Sequence, residues 1–197
     1  MAYEGFVFLE DVADKLEEVN EDWRTFFNTK SGEFVSAQNE HLGIAEDLGE
    51  VEVVDEDSDE LDEAEDEDSD ELNEAEDEGI PEDALARYSD WEREAIQEAV
   101  EILENWDDYI ELPSQYDIHE YSIMEDFAAS VSNDHKREML EVALEGRGAF
   151  RRFKDTLIRT GLEEKWYGFR FEAFVGIAKE WCEDNNISYK MKNKIDN

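Results

Sequence analysis

Cysteine is nearly absent from this chain. Cys182 stands alone, so no internal disulfide can form, and the chain suits a reducing cytoplasm. That one thiol, with histidines only at 41, 119 and 135, offers no zinc-ligand spacing, and no metal or other cofactor is expected. No apolar run approaches the ~20 residues that a membrane-spanning helix needs. The N-terminus, MAYEGFVFLEDVADKLEE, lacks a basic segment ahead of its apolar residues and turns acidic at Glu4, which does not read as a secretory signal. Positive charge is scarce as well. Eighteen Lys and Arg stand against 58 Asp and Glu, a formal net charge of −40. Such a charge repels duplex nucleic acid and anionic membranes and attracts basic surfaces, so neither direct duplex binding nor membrane binding is expected.

Folding material is nonetheless plentiful. Of 197 residues, 40% are hydrophobic and 12% aromatic, which distinguishes the chain from a disordered acidic protein. The charge is also uneven. Residues 46–83 hold 23 acids and no Lys or Arg, whereas residues 136–179 hold ten basic and seven acidic residues. Three regions follow: a helix and β-hairpin over residues 1–45, an acidic linker over 46–83, and a helical domain over 84–197. The expected class is α+β, mainly α, with about five helices in the C-terminal bundle.

In the first region, Leu9, Val12, Ala13, Leu16 and Val19 recur at helical spacing over residues 7–20. Two β-prone runs, around residues 25–27 and 34–36, flank Asn28-Thr-Lys-Ser-Gly32 and predict a hairpin, with Gly32 where positive φ is wanted. The acidic region contains a duplication, DEDSDELDEAE (55–65) followed by DEDSDELNEAE (66–76). Its like charges at i,i+4 oppose a helix, and only Leu61 and Leu72 could seek a core. Asp55, Asp57 and Asp59 match the first positions of an EF-hand loop. The sharp-turn glycine is replaced by Glu60, however, so a solvated spacer or an acidic docking segment is the expected reading. Val51–Glu60 also has a pattern suited to strand addition, although a short strand leaving the N-terminal unit is the simpler account.

Beyond this region, Ser89 and Glu92 form a capping-box pattern ahead of SDWEREAIQEAVEILENW. Further helices are expected over 117–131, 134–145, 148–160 and 163–184, with Gly146 and Gly161 as helix stops. YIELP makes an extended connection, and NISYKMK is expected as a short strand returning to the hairpin.

The most informative stretch is GRGAFRRFKD, residues 146–155. A glycine-flanked helix start offers unpaired backbone N–H groups and a partial positive charge, and Arg147 adds a planar fork for phosphate or carboxylate. Gly146, Arg147, Gly148, Arg151, Arg152 and Lys154 are therefore the candidate anion-binding residues. Trp166, Tyr167 and Arg170 on the next helix could stack a base and hold a phosphate, or serve an ordinary helix packed on two sides. On the helical wheel Ala149, Phe150, Phe153 and Leu157 form the core side. Arg152 and Arg159 fall on one flank, and Arg151 and Lys154 on the other. The alternative is that these cations pair with acids such as Glu138, Glu145, Asp155 and Glu163.

These residues also carry a resemblance. GRGAFRRFKDTLIRTGLEEKWYGFRFEAFVGIAKEWCEDNNI (146–187), LPSQYDIHEYSIMEDF (112–127) and FFNTKSGEFV (26–35) resemble uncharacterised protein family 0158, found in bacteria and their mobile elements. The acidic duplication departs from that pattern. The resemblance implies fold and relatedness rather than an activity, and it marks the glycine- and arginine-rich block as a family feature.

No nucleophile–base pair or metal spacing points to catalysis. The expected function is non-enzymatic: binding or sequestering an anionic, nucleotide-type small molecule. The alternative is an acidic interaction module, a DNA-mimic-like inhibitor of a basic nucleic-acid-binding protein, encoded on a mobile element.

Overall fold

Amphipathic spacing and two short antiparallel pairings organise the chain. The computed structural model describes residue 3, residues 5–50 and residues 82–192. The acidic duplication, its EF-hand-like aspartates and the Val51–Glu60 pattern lie outside the described residues. The fold is α+β and mainly helical, and the chain divides into two units. One comprises Met1–Ser36 with Asp107–Asn197, and the other Ala37–Trp106. This division differs from boundaries at 45/46 and 83/84, because the N-terminal elements pack with the C-terminal helices.

In the first unit, β1 (Val7–Phe8) leads into α1 (Leu9–Glu18), whose Leu9, Val12, Ala13 and Leu16 are buried. Strands β2 (Trp23–Asn28) and β3 (Phe34–Gln38) form the expected hairpin. Gly32 sits at φ 76°, its N–H donates to the Asn28 carbonyl at 2.8 Å, and the Asn28 side-chain oxygen accepts from the Lys30 and Ser31 N–H groups.

Two pairings were not legible in advance. The YIELP connection contributes β4 (Tyr109–Glu111), which pairs antiparallel with β2 and completes a sheet of order β3-β2-β4. Arg24 fastens that edge, donating from Nε and Nη2 to the Glu111 carboxylate at 2.8 and 2.5 Å. The C-terminal strand β5 (Tyr189–Lys190) does not return to the hairpin. It runs parallel to β1, with Val7 opposite Tyr189, because Val7 and Phe8 leave the expected helix to form an edge.

Helices α5 (Glu120–Ser130), α6 (Asp134–Leu144), α7 (Ala149–Thr160) and α8 (Glu163–Asp184) complete this unit, α8 packing along α1. Phe127, Phe153 and Trp166 form an aromatic triangle in the core, with ring centroids 5.0 to 6.2 Å apart.

In the second unit, α2 (Asn39–Glu50) packs on α4 (Asp90–Glu104), with the single turn of α3 (Glu82–Leu85) before it in sequence. Helix α2 was not expected. Its Leu42 and Ala45 are buried, as are Ile96, Ala99 and Ile102 of α4. The capping-box pattern holds, since the Glu92 carboxylate accepts from the Ser89 hydroxyl and, at 2.8 Å, from the Ser89 N–H, and these two bonds, the hydroxyl's first, lower the pKa of Glu92. Buried His41 lies 5.9 Å from the Trp91 ring.

Candidate functional site

The glycine- and arginine-rich block forms the corner between α6 and α7. Gly146 and Gly148 adopt φ 72° and 77°, so the chain reverses in four residues and the two helices run antiparallel. An antiparallel pair puts the start of each helix beside the end of its neighbour. Cations in a first turn normally oppose the helix dipole, but here they reach the carbonyls of the adjoining C-terminus.

Arg152 does this at the corner. Its Nε donates to the Ala143 carbonyl at 3.2 Å, Nη1 to Arg147, and Nη2 to Glu145 and, at 3.3 Å, to Gly146. The guanidinium is thus engaged by main-chain oxygens at the corner after α6, Glu145's among them, and by none of the carboxylates named in the alternative reading. A Cβ on Gly148 would make only an ordinary contact with Arg152 Nη1, 3.4 Å away, so it is the positive φ of the turn that calls for glycine. At the other end of the hairpin, Lys136 in the first turn of α6 donates from Nζ to the Thr160 carbonyl at 2.5 Å, capping α7.

Arg147, Arg151 and Lys154 differ from Arg152. All three are exposed, and none makes an ion pair or side-chain hydrogen bond with a described residue. Arg151 and Lys154 are three residues apart and share the outer face of α7. Phe150 belongs with them, not with the core: it is 48% exposed, with its ring 6.5 Å from that of Tyr121. Thr156 and Thr160 take the buried positions on the other side of the wheel, which turns Phe150 to the flank. The signal for this was available, because two threonines on one side displace the apolar face.

The α8 candidates do not join the corner. Trp166 is buried against Phe127 and Phe153. Arg170 donates to Glu17 of α1 and, at 2.7 Å, to Glu120 of α5, while its guanidinium carbon lies 4.4 Å from the centre of the Phe174 ring. Its role is to tie three helices together. Tyr167 is 62% exposed, and no described residue gives its hydroxyl a partner.

Two cavities flank the hairpin. One, of about 270 Å³, is lined by Tyr121, Glu125, Ala128, Glu141, Leu144 and Glu145, and the Tyr121 hydroxyl donates to the Leu144 carbonyl at 2.8 Å. The other, of about 280 Å³, opens beside the start of α6 and includes Lys136 and Lys165. Among the described residues no group of three or more His, Cys, Asp or Glu side chains is arranged to hold a metal ion. Among the same residues no helix is long and apolar enough to cross a membrane.

The model of the Uncharacterised protein family (UPF0158) aligns with residues 57–197, which takes in α3 to α8 and most of the acidic duplication. The hairpin sequence FFNTKSGEFV lies ahead of the matched residues, so the resemblance seen there falls outside the match. No curated protein and no solved structure matches the chain. With the match covering well over half of its length, the chain belongs to the Uncharacterised protein family UPF0158.

Proposed function

We propose that this is a non-enzymatic binding protein that takes an anionic, nucleotide-type ligand at the α6–α7 corner. One observation carries the reading. In a chain with 58 acids, Arg147, Arg151 and Lys154 stay exposed without a described partner, beside the half-exposed ring of Phe150. Two arginine forks and an ammonium supply charge-assisted donors for phosphate, and an aromatic face supplies a platform for a base. Arg152 has a supporting role, since its caps fix the turn that presents the others. A cytoplasmic setting belongs to the same reading, because the lone, buried Cys182 needs no oxidising compartment.

Calorimetry with a panel of nucleotides tests this. A nucleotide bound more tightly than about millimolar is expected. Arg151→Ala should weaken it about tenfold or more, with the melting point unchanged. If no nucleotide binds wild type at that level, the reading fails.

A second reading has its own support. The cavity beside Tyr121 presents Glu125, Glu141 and Glu145, which suits a lysine or arginine of a basic partner protein. An acidic interaction module would use this side of the Tyr121–Phe150 pair. Its complexes would dissociate with Glu141→Lys and survive Arg151→Ala.

A further inference from the structure

The second cavity has a composition that the chain as a whole makes improbable. It is lined by eight residues, none of them acidic, in a protein with 58 Asp and Glu. Its walls combine apolar surface from Phe127 and Leu162 with polar groups from Ser132, Asn133, Lys136 and Lys165. The hydrogen-bonding capacity left in those polar groups is mainly donor capacity. Lys136 uses one of its three ammonium hydrogens on the Thr160 carbonyl. Asn133 uses its side-chain oxygen to accept the Lys136 N–H at 2.9 Å, which leaves its NH₂ group available. The Lys165 ammonium and the Ser132 hydroxyl have no partner among the described residues. Asp134, the acid nearest in sequence on the α6 side, is taken by Arg137. The cavity also opens beside the first turn of α6, whose partial positive charge acts in the same direction as the two lysines.

Donors in excess of acceptors are complementary to an oxyanion, and two ammonium groups favour a dianion over a monoanion. Phe127 and Leu162 are buried in the core and only floor the cavity, so its selectivity rests on charge. A volume of about 280 Å³ lies just below the ~300 to 1,000 Å³ of typical ligand pockets, which suits a small ligand. We propose that this cavity is a binding site for a small phosphomonoester. The site is distinct from the corner described above. It lies at the other end of the α6–α7 hairpin, roughly 16 Å away along an 11-residue helix.

Phenyl phosphate is the probe, with inorganic phosphate as the control, titrated into the full chain and followed by amide chemical shifts and calorimetry. Saturable shifts are expected at Ser132, Asn133 and Lys165, and the tighter of the two ligands tells a monoester from free phosphate. Lys165→Glu should weaken binding about tenfold or more by reversing one charge-assisted contact. Because Lys165 is exposed and caps no helix, its melting point should not move. Ser132→Asp, which puts a carboxylate in the wall, should act in the same direction. Arg151→Ala, at the corner, should leave this binding intact. The proposal is overturned if phenyl phosphate binds no more tightly than about 10 mM. It is equally overturned if Lys165→Glu has no effect, or if Arg151→Ala abolishes the shifts. Failure at the corner with nucleotides would leave this result standing, and the converse also holds.

Discussion

Lys136 and Arg152 reach in opposite directions along one helical hairpin, each capping the other's helix. Lys136, near the start of α6, holds the Thr160 carbonyl at the end of α7, and Arg152, near the start of α7, holds the Ala143 and Glu145 carbonyls at the end of α6. The exchange explains why an acidic chain keeps cations in two first turns, where the dipole of their own helix disfavours them. Part of the basic segment is therefore scaffold, and only the remainder is available to a ligand.

Arg152→Ala should destabilise the fold. The substitution strips several main-chain acceptors of a charged donor, a loss of about 1–2 kcal/mol for a half-buried group. Arg152→Lys should recover only part of it, since an ammonium cannot span the same carbonyls as a planar fork. Urea denaturation checks this, with Arg151→Ala as the comparison. That exposed neighbour should change the midpoint little.

Arg170→Ala should likewise act on stability and leave ligand binding alone. The side chain is 19% exposed and joins Glu17 of α1, Glu120 of α5 and the Phe174 ring on its own helix. Removing it leaves two carboxylates facing each other without their shared cation. A loss of about 1–2 kcal/mol is expected, smaller than for a dry ion pair because both carboxylates reach solvent. A double-mutant cycle with Glu120→Gln should give a coupling that shrinks in high salt.

How far the sequence disclosed this structure depended on whether the decisive interaction was local. The hairpin was legible because Gly32 must take positive φ between two β-prone runs. The start of α4 was legible because Ser89 and Glu92 are three residues apart. The β1–β5 pairing joins two-residue strands more than 180 positions apart, too short to leave a period. Helix α2 was hidden because its apolar residues adjoin the acidic run. In the candidate site, charge counting located the basic segment but could not separate Arg152 from Arg151. The acceptors of Arg152 are backbone carbonyls, which no sequence displays. Arg170 was misassigned for a related reason, since its partners come from residues 17 and 120, remote in the chain.

Cys182 should be silent to thiol reagents in the native protein and should shape the alkaline limb of stability. The side chain is fully buried, and burial, with the Glu183 charge adding to it, pushes its pKa up to about 11 from an ordinary value near 9. Between those values the unfolded chain releases the thiol proton and the folded chain keeps it. The folded state therefore binds more protons, and stability falls as pH rises. The contribution is fully present below pH 9 and is lost by about pH 11. Native labelling at pH 8 should proceed no faster than global unfolding. Cys182→Ala should flatten the pH dependence of the urea midpoint between pH 9 and 11, beside any constant loss from the small cavity. Rapid labelling under native conditions would contradict the buried placement.

Gly148 and Arg152 should prove energetically coupled, and the coupling separates scaffold from site. Gly148 precedes α7 at φ 77°, where a side chain is strained by about 1 kcal/mol whatever space surrounds it. A Cβ there would only touch Arg152 Nη1, at 3.4 Å, whereas the further carbons of a larger residue should disturb the α6 cap as well as the turn. Gly148→Val should then cost more stability in the wild-type background than beside Arg152→Ala, where there is no cap left to disturb. Gly148→Ala should show the backbone penalty with little coupling. If Gly148→Val weakens a nucleotide ligand, the loss must be compared with that of Lys154→Ala, which leaves the turn intact. A ligand lost with both Lys154→Ala and Arg151→Ala, at unchanged melting points, is held by the outer face of α7. A ligand lost only with Gly148→Val and Arg152→Ala, in step with stability, reports the turn unfolding and would remove the corner as a binding site.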